Sequence, residues 1–166
     1  MSALDMKTTR TEIGRHDWAD MRCGCMLSAD HIPRDFIAML NGPIQVRAGE
    51  GWADSHAYVQ SNLMQPAIAT ASMIMAALAD GVPARHHREL MLVLNGLVAG
   101  EQDDVADECL RIVQSGSWLL YEQISSGRNI DAAAYAYEIL ELIDDERERL
   151  AFYRVAARDF LPADLQ

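Results

Sequence analysis

Basic side chains, cysteines and long apolar runs are all scarce in this chain of 166 residues. Three cysteines, a small and odd number, exclude a disulfide-rich secreted fold and lead us to expect a reducing, cytoplasmic environment. The most apolar stretch, residues 66–79, is shorter than the roughly 20 residues that a membrane-spanning helix needs. Residues 1–18 are polar and charged, so we also expect no secretory leader.

The shortage of lysine and arginine limits the kinds of partner. The chain has 14 basic and 25 acidic residues, a formal net charge of −11. A protein that binds nucleic acid or an anionic membrane gains affinity from Lys and Arg on phosphates, so we expect neither partner. Residues 84–166 carry 16 acidic and 8 basic side chains. An electrostatic function toward a basic protein is therefore predicted for this second half.

The sequence pattern is helical throughout. No segment alternates apolar and polar residues with the period of two that a half-buried strand requires, so the predicted fold class is all-α. Proline at helix starts and glycine after helix ends mark about eight helices. They cover residues 33–40, 52–64, 66–79, 83–99, 101–115, 117–127, 131–143 and 144–160. We predict one helical domain, residues 31–162, after a partly irregular N-terminal segment, residues 1–30.

The predicted helices differ in how many of their sides are apolar. Residues 66–79 and 83–99 are apolar nearly all round, which predicts two helices at the centre of the molecule. The helices at 101–115 and 131–143 each have one apolar stripe, which predicts surface helices with Cys109, Tyr135 and Leu142 inside. Short connections predict antiparallel hairpins that stack into a short α-solenoid.

Two rows of acidic residues follow the outer faces of these surface helices. The rows are Glu101, Asp104 and Glu108, and Glu138, Glu141 and Asp145. Residues spaced three and four apart share one face of a helix, so each row forms a ridge. We predict that both ridges bind the protein partner. The alternative is that these carboxylates bind no partner and are simply solvated at helix starts. Acidic residues in the first turn of a helix interact favourably with its dipole and so stabilise the helix by themselves.

Aspartates and glutamates in the same region are spaced as in some magnesium-binding sites. Asp103, Asp104 and Asp107 form a DDxxD pattern, and residues 144–148 form a DDxxE pattern. Carboxylates at i and i+4 share a helix face, and Mg²⁺ prefers oxygen ligands. An alternative prediction is therefore a magnesium-dependent all-α enzyme that acts on a diphosphate or a nucleotide. No Lys or Arg flanks Asp103 to hold a diphosphate, which favours the binding protein.

The N-terminal segment offers four side chains that zinc accepts. His16, Cys23, Cys25 and His31 lie within 16 residues and are sufficient in number for a tetrahedral zinc site. Two cysteines separated by one residue do not match the common zinc knuckles. The preferred interpretation is a packed segment with reduced thiols and no bound cofactor, with zinc at these four residues as the alternative.

Other candidate residues favour structural roles. His86 and His87 belong to the only compact basic cluster, which could bind an acidic group, but adjacent helical residues point about 100° apart and do not share a metal well. Ser55 and His56 lack a nucleophile elbow, and the sequence has no glycine-rich phosphate loop. Four aromatic residues are candidates for interface anchors or for the core: Trp52, Trp118, Tyr121 and Tyr135.

One set of short segments forms a pattern of helix ends and apolar runs over roughly residues 30–160, without a catalytic motif: Ala57–Gln60, Pro66–Ala67, Leu78–Arg85, Glu89–Leu94, Ile112–Gly116, Leu119–Leu120 and Asp144–Arg149. In this pattern the sequence resembles the small HEAT-like helical-repeat proteins of actinobacteria that belong to the polymorphic-toxin immunity type. Proteins of this kind are commonly encoded beside a toxin, so the resemblance implies a helical fold and binding of a cognate toxin.

We therefore expect a non-enzymatic binding protein that neutralises a basic toxin by covering its active site. The resemblance and the acidic second half of the chain are the two observations behind this expectation. A magnesium-dependent enzyme and a scaffold or adaptor solenoid are the two alternatives.

Overall fold

A computed structural model describes residues 4–143 and 145–166, and they form eight α-helices and one short β-hairpin. The helices are α1 (Lys7–Arg15), α2 (His31–Asn41), α3 (Ala67–Ala79), α4 (His87–Val98), α5 (Asp103–Ser115), α6 (Ser117–Ser126), α7 (Ile130–Ile143) and α8 (Arg147–Ala156). The hairpin pairs β1 (Tyr58–Val59) with β2 (Asn62–Leu63) in antiparallel register. The predicted all-α class is confirmed.

The predicted number of helices is right, but one member of the set is wrong. Residues 52–64 form turns and the hairpin β1–β2 instead of a helix. The carbonyl of Gly49 accepts hydrogen bonds from the backbone N–H groups of residues 52, 53 and 54, and Ser55 and Gln60 adopt positive φ, which a helix does not allow. The helix that was not predicted is α1, whose sequence is polar and charged with few apolar residues to mark a buried face.

Helix α3 lies at the centre of the core, as predicted from its own residues, which are apolar on nearly every side. Most of its side chains are buried, and it packs against α1, α4 and α5. Helix α7 packs extensively against both α4 and α6. The contact between α4 and α7 joins helices separated by two others along the chain, so the stacked order of a solenoid stays a prediction. Within the described ranges, no helix combines the length and the apolar character needed to cross a membrane.

The long connection between α2 and α3 is fastened to the core by a buried carboxylate. Glu89 of α4 accepts hydrogen bonds from the backbone N–H of Gly49 and from Nε1 of Trp52, both at 2.8 Å. Both side chains are buried, and the Trp52 ring packs against Phe36 of α2. Trp52 is therefore a core residue and not an interface anchor.

Helix α1 is held on the molecule by an aspartate from another helix end. Asp80, directly after α3, accepts hydrogen bonds from the backbone N–H groups of Thr8 and Thr9 at 3.1 and 2.7 Å, and from the Thr9 hydroxyl at 2.7 Å. These two N–H groups lie in the first turn of α1 and have no partner inside the helix. Asp80 thus supplies the cap that α1 lacks in its own sequence.

Two adjacent histidines, His86 and His87, are buried at the start of α4, which argues against the alternative that they bind an acidic group and agrees with the structural role favoured from the sequence. His87 contacts the carbonyl of Val82 through Nε2 at 2.8 Å, while Nε2 of His86 has no hydrogen-bond partner among the described residues. Burial, assisted by the nearby charge of Arg85, lowers the pKa of His86. The folded chain therefore favours the neutral imidazole.

We expect the substitution His86→Leu to flatten the decrease in stability on acidification. In the unfolded chain His86 titrates near pH 6.5, whereas its folded pKa is lower. Below about pH 6.5 the unfolded state binds a proton that the folded state does not, so stability falls as the pH drops toward the folded pKa. Urea unfolding of both proteins between about pH 7.5 and pH 5 measures this difference. Parallel profiles would show that His86 makes no such contribution.

Candidate functional site

The first acidic ridge is exposed on the outer face of α5 and at Glu101, two residues before the helix begins. Glu101, Asp104 and Glu108 are all exposed, while Cys109 and Val113 on the opposite side are buried. Asp103 and Asp107 add two more exposed carboxylates. Glu108 forms an exposed ion pair with Arg111 at 3.1 Å. The structure therefore places five carboxylates along one short helix and its entry.

The second acidic ridge has a mixed environment. Glu138, Glu141 and Asp145 are exposed, but Glu138 accepts a hydrogen bond from Nδ2 of Asn95 at 3.0 Å. Glu141 lines a cavity of about 590 Å³ between α7 and α8. Three arginines line the same cavity: Arg147, Arg154 and Arg158. The second ridge therefore does not present a uniformly negative surface to a basic partner.

The exposed faces of α7 and α8 carry apolar side chains beside these charges. Leu142 was predicted to lie inside but is 58% exposed, because it follows Glu138 by one helical turn on the outer face. On α8, Phe152 and Val155 are 74% and 77% exposed. Large apolar side chains that remain exposed next to one another are typical of protein-binding surfaces.

The aromatic candidates divide between the core and the surface. Tyr121 is buried, and Tyr135 is partly buried against the core, as predicted for Tyr135. Trp118 is exposed, and the guanidinium carbon of Arg149 lies 5.1 Å from the centre of its ring. Trp118 is therefore the member of this set that is available as an anchor. The predicted core position of Cys109 is confirmed by its burial.

The DDxxD carboxylates do not converge. Asp103, Asp104 and Asp107 are solvent-exposed, and their oxygens do not form a close group of three ligand atoms. Asp144, from the DDxxE pattern, lies outside the described residues. Within the described residues, 4–143 and 145–166, one group of three or more His, Cys, Asp or Glu side chains is close enough to hold a metal ion. It lies in the N-terminal third of the chain, away from these aspartates.

That group consists of two thiols and two imidazoles, here named the CCHH cluster: Cys23, Cys25, His31 and His56. One ligand atom from each residue lies within 4.8 Å of those of all the others. Sγ of Cys23 is 3.3 Å from Nε2 of His31 and 3.2 Å from Nδ1 of His56, and Sγ of Cys25 is 3.6 Å from Nε2 of His31. The two imidazole rings meet edge to face, with centroids 4.6 Å apart.

A tight backbone turn positions the two cysteines. The N–H of Cys23 donates to the carbonyl of Leu27, and the N–H of Met26 donates to the carbonyl of Cys23. Met26 adopts a positive φ of 75°, a conformation that non-glycine residues rarely accept and that concentrates at functional sites. The turn brings both thiols to the same side as His31, the first residue of α2.

A close approach of two chain segments brings His56 to the cysteines. The N–H of Gly24 donates to the carbonyl of His56 at 2.8 Å. A Cβ atom on residue 24 would lie 2.8 Å from the carbonyl oxygen of Ser55, so only glycine fits between the segments. Ser55, directly before His56, also has a positive φ of 66°. Strained backbone therefore occurs beside the thiols and beside His56.

The local environment shifts the pKa values of Cys23, Cys25 and His56 in different directions. Burial raises the pKa of Cys23 to about 11, whereas hydrogen bonding, chiefly to the backbone at Leu27, lowers the pKa of Cys25. Burial and the neighbouring His31 lower the pKa of His56, which favours its neutral imidazole. Asp35, one helical turn after His31, has an Oδ2 atom 3.2 Å from Nδ1 of His31.

His16 lies apart from the cluster, which corrects the predicted zinc ligand set. Its Nε2 is 2.8 Å from the Ser72 hydroxyl and 3.2 Å from a carboxylate oxygen of Glu12. These contacts fasten the end of α1 to α3. His56, which sequence reasoning placed inside a helix and beside Ser55, stands in the fourth position. No local sequence signal links it to the cysteines, which are more than 30 residues away.

Comparison of the chain with protein-family models, curated proteins and solved structures gave no match.

Proposed function

We propose that this chain is a non-enzymatic protein that binds a partner protein with a basic surface, and that the partner is a cognate toxin. The acidic face of α5 is the observation that carries this proposal. Its exposed carboxylates are accompanied on the helix by a single basic residue, Arg111. A negative surface of this kind attracts a positively charged cleft and accelerates its association.

The inference that the partner is a toxin is based on the sequence resemblance. The exposed surfaces of α7 and α8 support binding of a protein, without indicating which one. Interfaces combine apolar anchors with a polar rim. Phe152 and Val155 are suitable anchors, and Trp118 adds an exposed aromatic ring. The second ridge contributes less to the attraction, because Glu141 shares its cavity with arginines.

Co-expression with the product of the neighbouring gene tests the proposal. We expect that product to inhibit growth when expressed alone, to be harmless beside this chain and to co-purify with it. A neighbouring product that is not toxic and does not bind would contradict the toxin as partner. Saturable Mg²⁺ binding in isothermal titration, with turnover of a diphosphate, would favour the magnesium-dependent enzyme instead.

We expect the double substitution Asp104→Lys and Glu108→Lys to slow association with the captured partner about tenfold or more at low salt. The physical reason is the loss of two negative charges and the gain of two positive ones on the first ridge. Stopped-flow or surface-resonance rates at several salt concentrations measure the effect, and the salt dependence is expected to decrease as well.

The matched control is the double substitution Asp17→Lys and Asp20→Lys, which changes the net charge equally at two exposed residues of the N-terminal segment. We expect a much smaller change in association rate from it. Equal slowing by both variants would indicate a general effect of net charge, and an unchanged rate in the first variant would exclude the α5 face.

A further inference from the structure

We propose that the CCHH cluster is a structural zinc site in which Sγ of Cys23, Sγ of Cys25, Nε2 of His31 and Nδ1 of His56 bind one Zn²⁺ ion. The proposal concerns the folding of the N-terminal third and goes beyond partner binding. Four protein ligands fill a tetrahedral coordination sphere, which is typical of structural zinc and leaves no position for a catalytic water.

The distances within the cluster match this geometry. Zinc binds sulfur at about 2.3 Å and imidazole nitrogen at about 2.0–2.1 Å, so a sulfur and a nitrogen on the same tetrahedral ion lie roughly 3.5 Å apart. Three of the four sulfur–nitrogen pairs in the cluster are 3.2, 3.3 and 3.6 Å apart, and all four ligand atoms lie within 4.8 Å of one another. These distances place the side chains close to the corners of a tetrahedron around one zinc ion.

The chemistry of the ligands selects the metal. Two thiolates and two imidazoles are soft to borderline ligands, and a tetrahedral set of this composition favours zinc over magnesium or calcium, which prefer oxygen.

Asp35 provides the outer support that zinc-binding histidines usually have. Its carboxylate faces Nδ1 of His31, and it is itself contacted by Nε of Arg34 at 3.1 Å. A hydrogen bond from Nδ1–H to the carboxylate leaves Nε2 of His31 as the metal ligand and holds the ring in place. Asp35 is a positioning residue and does not touch the metal.

The position of the cluster explains what the metal would stabilise. Residues 16–30 and 42–66 contain little regular secondary structure, and segments of this length without it are uncommon in compact domains. The proposed ion joins the first segment to the second and both to the start of α2. It would replace the packing that helices supply elsewhere in the molecule.

The test begins with the full chain, purified under reducing conditions and stripped of metal. We expect it to bind one equivalent of Zn²⁺ with a dissociation constant of roughly nanomolar or lower, measured by competition with a chromophoric chelator. Cobalt added alone is expected to give the visible bands of a tetrahedral ion and a thiolate-to-cobalt charge-transfer band. Zinc is also expected to raise the melting temperature of the stripped chain.

Variants separate this ligand set from the one that sequence spacing suggested. We expect Cys25→Ser and His56→Ala to lose one-to-one binding, and His16→Ala and Cys109→Ser to retain it with unchanged affinity. Asp35→Asn is expected to keep the stoichiometry but to weaken binding about 10- to 100-fold. Helical circular dichroism confirms that each variant is folded.

The cobalt spectrum of the unaltered chain keeps the proposal testable if a ligand variant fails to fold. A reduced chain that binds no zinc, or a cobalt spectrum without thiolate charge transfer, would overturn the proposal. Retention of tight binding by His56→Ala, or its loss in His16→Ala, would overturn the assignment of His56. None of these measurements needs the partner protein, so they are independent of the proposed toxin binding.

Discussion

Replacing Glu89 with alanine is expected to lower the free energy of unfolding by about 3 kcal/mol. The substitution leaves the N–H of Gly49 and Nε1 of Trp52 buried without their acceptor, and each unsatisfied donor costs about 1–3 kcal/mol. It also leaves a cavity beside Trp52. Urea unfolding followed by far-ultraviolet circular dichroism measures the loss.

Two further variants test whether the loss of stability comes from the hydrogen bonds that Glu89 accepts. Glu89→Gln keeps an oxygen that can accept both hydrogen bonds but lacks the negative charge, so we expect a smaller loss of about 1–2 kcal/mol. Glu141→Ala, on an exposed face of α7, is expected to change stability by less than about 0.5 kcal/mol. If Glu89→Ala were as mild as Glu141→Ala, the connection between α2 and α3 would not depend on this carboxylate.

Replacing Asp80 with alanine is expected to release α1 from the molecule and to reduce stability by about 2 kcal/mol. Three hydrogen bonds disappear, and the first turn of α1 loses its acceptor for two N–H groups. Burial raises the pKa of Asp80, but the hydrogen bonds from Thr8 and Thr9 outweigh it, and the net pKa is lowered. Stability from Asp80 is therefore present at neutral pH and is lost as the carboxylate is protonated in acid.

Hydrogen exchange distinguishes local release of α1 from global destabilisation. We expect the amides of α1 in Asp80→Ala to exchange much faster, while the amides of α3 and α4 change little more than global stability requires. Asp5→Ala is the matched control, because the exposed pair between Asp5 and Lys7 contributes little to stability. Uniform acceleration across all helices would contradict a role of Asp80 that is specific to α1.

These carboxylates have in common that each links segments distant in the sequence. Glu89 joins α4 to residues 40 positions earlier, and Asp80 reaches back 72 positions to Thr8. The sequence pattern at both residues indicates only a helix start and a helix end. Their partners depend on how the helices pack, so neither link could be predicted from spacing.

Some positions of the candidate functional residues could likewise be predicted from the sequence pattern, and others depend on how the helices pack. The exposed face of α5 could be predicted, because residues three and four apart share a helix face whatever the helix packs against. The position of Leu142 could not, because the apolar stripe of α7 allowed it inside and the packing leaves it exposed. The zinc alternative included Cys23, Cys25 and His31 but took His16, which is near in sequence, in place of His56, which is near in space.

The sequence by itself determined the all-α class, the central positions of the apolar helices and the outward direction of the acidic residues on α5. Each of these follows from the period of the helix and the preference of apolar side chains for the interior, both of which act within a few residues. Only the tertiary structure decided that residues 52–64 form turns and a hairpin instead of a helix, that Asp80 caps α1 and that His56 lies beside the cysteines. These features depend on contacts between distant segments, where a single buried hydrogen bond or close approach outweighs local helix propensity.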